Sequence, residues 1–196
     1  MHQSANLNKY TTSNRLYRWH IDAFHSHLTS LARTTNPARI LDAGCGEGHL
    51  SQAFKSSMPH AAIEGIDHSH EAIEYARKQF GDVASFDQGD IHALPFETNS
   101  FDLVVCSQVL EHLDNPEQAI TELKRVSRSY VLISVPLEPY FKFFNDISRA
   151  LRISPDPGHV QFWTRKTFPE FIGKHFEHFE HSTLHYYQAA LARSIT

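Results

Sequence analysis

Cysteine is scarce in this chain. Its 196 residues include only two cysteines, Cys45 and Cys106, which are too few for a disulfide framework. Each lies at the end of a predicted buried strand, where a small thiol packs like an apolar side chain. We therefore expect both thiols to be reduced and buried, as in a protein of a reducing compartment.

The chain also lacks an excess of basic residues and any long apolar run. Its formal net charge of -4 leaves no surplus of positive charge for phosphates, so we expect no nucleic-acid partner. The N-terminus has neither the basic start nor the apolar run of a signal peptide, and no later stretch is long enough for a membrane span. These absences predict a cytoplasmic protein without a membrane span, and they leave monomer and homodimer both open.

Histidine, in contrast, is abundant, with 15 in the chain. Four of them, His175, His178, His181 and His185, lie close together in a late segment. A helix would place them on one face, but the alternation of aromatic and polar residues is more typical of a strand, which divides them between two faces. No zinc-binding spacing is matched either, and we therefore expect no metal site.

Short runs of β-branched and apolar residues alternate with helix-like segments along the chain. This alternation predicts a Rossmann-like α/β fold, in which a doubly wound, mostly parallel sheet carries helices on both faces. Two further strands, around residues 176–183 and 186–192, would complete a seven-stranded sheet. The first five predicted strands are Arg39 to Ala43, Ala62 to Asp67, Ala84 to Gly89, Phe101 to Cys106 and Tyr130 to Val135.

Capping residues indicate where two of the helices begin. Ser69 can cap a helix that has Glu71 in its first turn. Asn115 can cap a second helix, with Pro116 at its first position and Gln118 at the capping-box position.

The flanks of the predicted sheet suggest covers for the domain. Apolar residues at helical spacing predict a helix before the first strand, and we interpret residues 1–36 as an N-terminal helical cover. Residues 37–196 would form the ligand-binding domain. Within it, the aromatic and irregular residues of about 137–165 are predicted to cover a substrate, and a short helix is expected near residues 166–174.

The segment RILDAGCGEGHL carries the first chemical signal. It places Asp42 at the end of the first strand and then Gly44, Gly46 and Gly48 in the turn into a helix. Glycines let the backbone turn tightly and approach a ligand, and a helix start offers unpaired N–H groups. The spacing is G-x-G-x-G, whereas a dinucleotide fingerprint reads G-x-G-x-x-G, so a nicotinamide cofactor is less favoured. A plain tight turn remains an alternative at this point.

Two more acidic residues close the next strands. Asp67 ends the second strand, where its carboxylate can accept hydrogen bonds from ribose hydroxyls. Asp90 follows the third strand, where its carboxylate can accept from an adenine amine while the N–H of Ile91 meets a ring nitrogen. Three carboxylates at successive strand ends share the carboxyl edge, where open α/β sheets bind ligands, and helix capping alone does not account for them.

The motifs LDAGCGEG, GIDHS, QGDIHALPF and FDLVVCSQVLEHLDNP resemble those of class I S-adenosylmethionine (SAM)-dependent methyltransferases. The likeness covers roughly residues 38–136 and is strongest to the small-molecule branch around the quinone and biotin-pathway enzymes. It implies that SAM is the cofactor and S-adenosylhomocysteine (SAH) the product. The cofactor-binding residues that it implies are Asp42, Gly44, Cys45, Gly46, Gly48, Asp67, His68, Asp90, Ile91, Ser107, Gln108 and Val109.

The same resemblance places the segment after the fourth strand beside the methyl donor. His112 is the candidate general base for a hydroxyl acceptor, because imidazole titrates near neutral pH. Two alternatives stay open. Either His112 is instead a loop residue whose side chain hydrogen-bonds the backbone, or Glu111 is the acting group in its place. Less uniform flanking motifs add candidate substrate residues, and these are Tyr10, Asn14, Arg18, His159 and Trp163.

The sequence therefore predicts a SAM-dependent methyltransferase that acts on a small-molecule acceptor by in-line displacement. Methylation of a nucleobase is disfavoured, because SQVLEHL lacks the proline-proline-aromatic segment that usually accompanies it. Two alternatives stay open: a SAM-binding regulatory or scaffold module without catalysis, and, less favoured, an NAD-dependent oxidoreductase. Fold alone does not decide between them.

Overall fold

The computed structural model describes residues 15–139 and 158–194, with side chains of the first helix described from Arg18 onward. Residues 140–157, which make up most of the predicted substrate cover, lie outside the described residues. So do the candidate substrate residues Tyr10 and Asn14.

Helices and strands alternate along the described chain. The helices are α1 (Arg15–Thr34), α2 (His49–Ser57), α3 (His70–Phe80), α4 (Pro116–Val126) and α5 (Thr167–Gly173), and a 3-10 turn covers Leu110–His112. The strands are β1 (Arg39–Ala43), β2 (Ala62–Asp67), β3 (Ser85–Gln88), β4 (Phe101–Ser107), β5 (Ser127–Pro136), β6 (Phe179–Leu184) and β7 (Tyr187–Arg193).

These strands form one seven-stranded sheet in the order β3-β2-β1-β4-β5-β7-β6. The first five strands are parallel to their neighbours, and β7 is antiparallel to both β5 and β6. The predicted doubly wound, mostly parallel fold is confirmed. Because the strand order reverses between β1 and β4, the carboxyl ends of these strands border the crevice where such sheets bind ligands.

Helices pack on both faces of the sheet. On one face, α4 and α5 bury residues such as Ile120, Leu123 and Phe168 against β4 and β5. On the other face, α2 and α3 bury Phe54 and Ile73. The core is thus divided into two layers by the sheet, as expected for this architecture.

The C-terminal half of α1 belongs to the core layer. Leu28 and Ala32 are fully buried in the same cluster as α2 and α3, and Nε2 of His27 lies 2.9 Å from Oγ of Ser182 on β6. The C-terminal half of α1 therefore covers the sheet face. A covering role for residues 1–36 over a ligand stays a prediction.

The helix starts that the sequence predicts are confirmed. Ser69 Oγ accepts the N–H of Ala72, and Asn115 Oδ1 accepts the N–H of Gln118. The capping box differs in one detail, because the Gln118 side chain accepts from the Asn115 side-chain amide at 3.2 Å. Its own amide group donates to the carbonyl of His92.

β1 and β2 have the predicted bounds, whereas the other strands differ from the prediction by up to three residues at an end. β3 is one residue shorter at each end than Ala84 to Gly89. β5 begins at Ser127, directly after the last residue of α4, because Ser127 pairs with Phe101 of β4. This pairing gives structure to polar residues that carry no apolar strand signal of their own. Within the described residues, no helix has the length and apolar character needed to cross a bilayer.

Candidate functional site

The glycine turn connects β1 to α2 in a backbone shape that suits glycine. Gly44, Gly46 and Gly48 have φ angles of 83°, 51° and 82°, all in the left-handed region. A Cβ at Gly44 would overlap Cγ2 of Val109, so this glycine allows the segment after β4 to approach. A Cβ at Gly46 would meet no heavy atom within 4 Å. The turn is therefore closed at Gly44 and open at Gly46.

Asp67 joins the second strand end to this turn. Its Oδ2 accepts the N–H of Gly46 at 2.9 Å and its Oδ1 accepts the N–H of Ser69 at 2.9 Å. The Nδ1 atom of His68 lies 3.3 Å from Oδ1, and the Asp67 side chain is only 11% exposed. A carboxylate has about four acceptor positions, so two backbone donors fix its orientation and leave acceptor capacity.

Asp42 lies beneath the turn, at the end of β1. It is 1% exposed and accepts a hydrogen bond of 2.6 Å from the Ser51 hydroxyl of α2. Burial raises the pKa of Asp42 to about 6, and the Asp67 charge adds to the rise while the Ser51 bond opposes it. Asp42 is thus a buried carboxyl whose ionisation a nearby positive charge would favour.

Cys45 lies in the same turn and is 8% exposed. Its backbone N–H donates to the Ile66 carbonyl, and burial raises the pKa of its thiol. Burial likewise raises the pKa of Cys106. Both cysteines are free and buried, as the sequence predicts, and their thiols remain protonated.

Asp90 follows β3 and forms a tight local turn. Its Oδ1 accepts the backbone N–H of His92 at 2.9 Å and lies 2.8 Å from the Nδ1 of the same residue. These hydrogen bonds hold the pKa of Asp90 below its ordinary value. The Asp90 side chain is 65% exposed, whereas Ile91 is 8% exposed and packs into the core. Asp90 is therefore charged, oriented and accessible.

The end of β4 is attached to the end of β5. The hydroxyls of Ser107 and Ser134 lie 2.9 Å apart, and the N–H of Gln108 donates to the Ser134 carbonyl at 2.9 Å. Gln108 has a φ of 57°, which turns the chain at this point. The turn brings Val109 against Gly44, so the first and fourth strand ends are in contact.

The 3-10 turn after β4 packs against a late segment of the chain. The carbonyl of Glu111 accepts the N–H groups of Val160 and Gln161 at 2.8 and 3.0 Å, and the Gln161 side chain donates to the Leu113 carbonyl. Nδ1 of His112 lies 3.3 Å from the Gly158 carbonyl. Ligand atoms of Glu111, His112 and His159 all lie within 4.8 Å of one another.

The remaining candidate substrate residues, Trp163 and Arg18, differ in their exposure to solvent. Trp163 is 7% exposed and packs against Phe168 and Phe171, and its carbonyl accepts from Glu138 and Gln188. Its side chain is thus a core residue, and a role in substrate contact stays a prediction. Arg18 is an exposed residue of α1.

One helix holds the loop that carries Asp90, which the sequence analysis missed. Glu122 accepts the N–H of Leu94 at 2.8 Å, and Arg125 donates to the carbonyls of Leu94 and Phe96 at 2.9 and 2.7 Å. Glu122 and Arg125 also bond each other at 2.7 Å. Gln118, Glu122 and Arg125 recur at helical spacing on α4, and this polar stripe was the available signal.

The loop and the 3-10 turn enclose an open cavity of about 470 Å³, whose lining includes Asp90, His92, His112 and Asp114. Of the predicted site residues, Asp90 and His112 line this cavity. The glycine turn and Asp67 lie at the neighbouring strand ends of the same edge.

The methyltransferase-domain family matches residues 41–133. Over 168 residues, the chain is 27% identical to a demethylmenaquinone methyltransferase of Thermotoga maritima, and the match covers 84% of this chain and 68% of that protein. Over 102 residues, it is 37% identical to a malonyl-(acyl-carrier protein) O-methyltransferase of Hahella chejuensis, covering 52% of this chain and 37% of that protein.

The fold is also similar to that of magnesium protoporphyrin IX methyltransferase from Synechocystis, solved with bound SAH. The TM-score is 0.69 at 17% identity, and the match covers 97% of this chain and 94% of that one. This likeness shows the fold. Among the other curated relatives, the chain spans about a quarter to a half of their length.

Proposed function

We propose that the chain is a class I SAM-dependent methyltransferase and that it transfers the methyl group of SAM to a small-molecule acceptor. The observation that carries the proposal is the hydrogen bond by which Asp67, at the end of β2, is attached to the glycine turn. One carboxylate accepts the N–H of Gly46 and stands at the end of β2, so the glycine turn and the second strand end form one oriented surface.

The residues of this edge fit SAM. A Cβ at Gly46 would find 4 Å of free space, which is the room that a close backbone approach to a ligand needs. The remaining acceptor positions of Asp67 suit the two ribose hydroxyls, and those of Asp90 suit the adenine amine. Buried Asp42 offers negative charge beside the turn, where the positively charged end of the methionine part would lie.

When bound, SAM supplies a methyl group that a positive sulfur already activates. The protein's part is to hold the acceptor in line and to exclude water, and proximity and orientation can supply on the order of 7–11 kcal/mol. Val109 and the Gln108 turn support the wall of the site beside Gly44.

We propose that His112 removes the proton of a hydroxyl acceptor. A carbonyl oxygen only accepts, so the contact with Gly158 requires a proton on Nδ1 and leaves the lone pair on Nε2. His112 lines the same cavity as Asp90, which supports its placement near bound SAM. His159, whose ring centroid lies 4.8 Å from that of His112, is proposed to contact the acceptor.

The names of two relatives and the net charge of the chain support the proposed acceptor class. Two relatives are named for methylation of demethylmenaquinone and of a malonyl group on a carrier protein, and neither acceptor is a nucleic acid. The net charge of -4 also offers little attraction to polyanions. We propose a small-molecule acceptor, no nucleic-acid partner and a cytoplasmic location.

The proposal is tested in two steps with the full chain. Calorimetry should show binding of SAM and SAH and no comparable binding of NAD. Release of SAH should then be measured over a panel of phenolic, enolic and carboxylate acceptors. Binding of NAD in place of SAM would contradict the cofactor assignment, and SAM binding without turnover on any acceptor would favour the regulatory or scaffold alternative.

A further inference from the structure

We propose that Glu111, His112 and His159 form a binding site for one divalent metal ion of intermediate hardness, such as Zn²⁺. Ligand atoms of the three side chains lie within 4.8 Å of one another. It is the one cluster of three or more such side chains found among residues 15–139 and 158–194.

The donor set suits such an ion. Two imidazoles and one carboxylate are ligands that Zn²⁺ and Fe²⁺ accept, and sites of this composition keep further coordination positions open. Two ligands of a tetrahedral ion with bonds of about 2.0–2.2 Å lie about 3.3–3.6 Å apart. Small rotations of the side chains would therefore close the present arrangement around an ion.

Main-chain hydrogen bonds help to bring these residues together. Val160 and Gln161 both donate their N–H groups to the Glu111 carbonyl, and the Gln161 side chain fastens to Leu113. His159 immediately precedes these anchored residues. The convergence of the three side chains is thus built on main-chain hydrogen bonds between two segments that lie far apart in the sequence.

His112 also has the support that a metal ligand requires. Its Nδ1 lies 3.3 Å from the Gly158 carbonyl, which fixes the tautomer with a lone pair on Nε2. Ligating histidines generally donate their second ring N–H to a carbonyl or carboxylate in this way. The ring of His159 stands at 75° to that of His112, so the two rings meet edge to face and are not stacked.

Glu111 contributes the charge. It is 1% exposed, so its carboxyl group lies away from bulk water. A buried carboxylate is costly unless positive charge or hydrogen-bond donors compensate it, and a divalent ion provides that compensation. The expected absence of a metal site rested on the late histidine cluster, which shares none of these three residues.

While an ion is bound, His112 could not act as the base proposed above, because one Nε2 lone pair cannot both coordinate the ion and accept a proton. Metal binding itself does not depend on methyl transfer. Its test can therefore fail or succeed independently of the proposed function.

The experiment uses the full chain, freed of metal with a chelator and titrated with Zn²⁺ by calorimetry and with Co²⁺ by absorption spectroscopy. We expect one equivalent to bind, with Co²⁺ bands typical of nitrogen and oxygen ligands. His159→Ala and His112→Ala should each weaken binding at least tenfold. Glu111→Gln should do the same, and circular dichroism would establish that this buried variant is folded.

A matched control addresses the other histidines of this histidine-rich chain. The double variant His178→Ala/His181→Ala removes two imidazoles from the late cluster and should bind Zn²⁺ as the parent chain does. The proposal is overturned if no stoichiometric binding occurs, or if binding survives unchanged in both His112→Ala and His159→Ala. In either case the three side chains are a plain hydrogen-bonding cluster.

Discussion

Asp67 is the residue on which the ligand edge depends most directly. It accepts two backbone N–H groups, from Gly46 and Ser69, and is proposed to accept ribose hydroxyls as well. Hydrogen bonds to charged groups contribute about 1.5–3 kcal/mol each. We therefore expect Asp67→Ala to weaken SAH binding by roughly that amount per lost bond, as measured by calorimetry.

Asp102 supplies a matched control at the opposite edge of the sheet. It also accepts two backbone N–H groups, from Ala38 and Arg39, at 3.0 and 2.9 Å. Asp102→Ala should therefore lower the free energy of unfolding without changing SAH affinity. If both variants weaken binding equally, the loss reflects general destabilisation and the ribose assignment of Asp67 is wrong.

Asp42 predicts a pH dependence of stability. Its pKa in the folded protein is about 6, above the ordinary value of 3.8, so the folded state holds the proton more tightly than the unfolded state. The contribution is fully present below pH 3.8 and is lost as pH rises through 6. Two pKa units correspond to about 3 kcal/mol.

Asp42→Asn removes this titration and retains an acceptor for Ser51. We expect the variant to gain about 3 kcal/mol in unfolding free energy relative to the parent chain between pH 4 and pH 8. Urea denaturation at both pH values measures the double difference. SAH binding should weaken, because the carboxylate charge is gone. A double difference near zero would show that Asp42 has an ordinary pKa in the folded chain.

Substitutions at Gly46 and Gly44 distinguish the space proposed for the ligand from the space that Val109 fills. Gly46→Ala meets no atom within 4 Å, so its cost to folding should be limited to the left-handed backbone, of order 1 kcal/mol. Its effect on SAH affinity should be large, since the new methyl enters the proposed ligand space. Gly44→Ala would contact Val109 and should mainly destabilise the fold. Normal SAH affinity in folded Gly46→Ala would contradict the placement.

The sequence predicted the site residues whose positions follow from strand ends. Asp42 and Asp67 lie at the ends of β1 and β2 and Asp90 follows β3, and parallel strands bring their carboxyl ends to one edge. Contacts made by folding were beyond such reasoning. Ser51 reaches Asp42 from α2, and His159 lies beside His112 where residues 160 and 161 bond to Glu111.

Among the elements, α4 does more than cover the sheet. Its apolar side packs on β4 and β5, while Glu122 and Arg125 hold the loop that follows β3. Arg125 and Leu94 both donate to Glu122, and the bond from Arg125 holds the pKa of Glu122 below its ordinary value. The helix thereby connects the core to the residues proposed to bind adenine.

Glu122→Gln should loosen this loop. We expect a loss of about 1–3 kcal/mol in unfolding free energy, because the Leu94 N–H and the Arg125 guanidinium lose a charged partner. Hydrogen exchange at the Leu94 amide should accelerate, and SAH affinity should fall severalfold. Glu117→Gln, an exposed residue of the same helix, is the control and should leave Leu94 exchange unchanged. Unchanged exchange in Glu122→Gln would show that α4 does not hold the loop.

Local signals explain which element boundaries were predictable. Caps at Ser69 and Asn115 act within one helical turn, so the sequence alone locates them. The start of β5 depends on a partner strand, since Ser127 gains strand structure by pairing with Phe101. From the sequence alone, the polar stripe of Gln118, Glu122 and Arg125 on α4 looks like a solvent-exposed face, because the loop that it binds lies elsewhere in the chain.

At the scale of the whole molecule, the alternation of strands and helices determined the architecture, because each helix must bury its apolar side on one face of the sheet. β6 and β7 form the last hairpin, from Phe179 to Arg193, and β7 lies antiparallel between β5 and β6. The order of these last two strands has no local sequence signal. It depends on which strand buries its alanine-rich stretch, and residues 189–192 of β7 are almost fully buried.

Because the proposed ligand contacts four strand ends at once, its binding should stabilise the whole molecule. A ligand that binds only the folded state adds about 2.7 kcal/mol at a hundredfold excess over its Kd, which raises the Tm of a chain of this size by about 5–10 °C. We expect SAH to produce this shift in thermal denaturation. NAD at the same concentration should produce none, since the glycine spacing does not match a dinucleotide turn. Asp67→Ala should lose most of the SAH shift, whereas Asp102→Ala should start from a lower Tm and keep it. An equal shift with NAD, or an undiminished SAH shift in Asp67→Ala, would place the ligand away from this edge of the sheet.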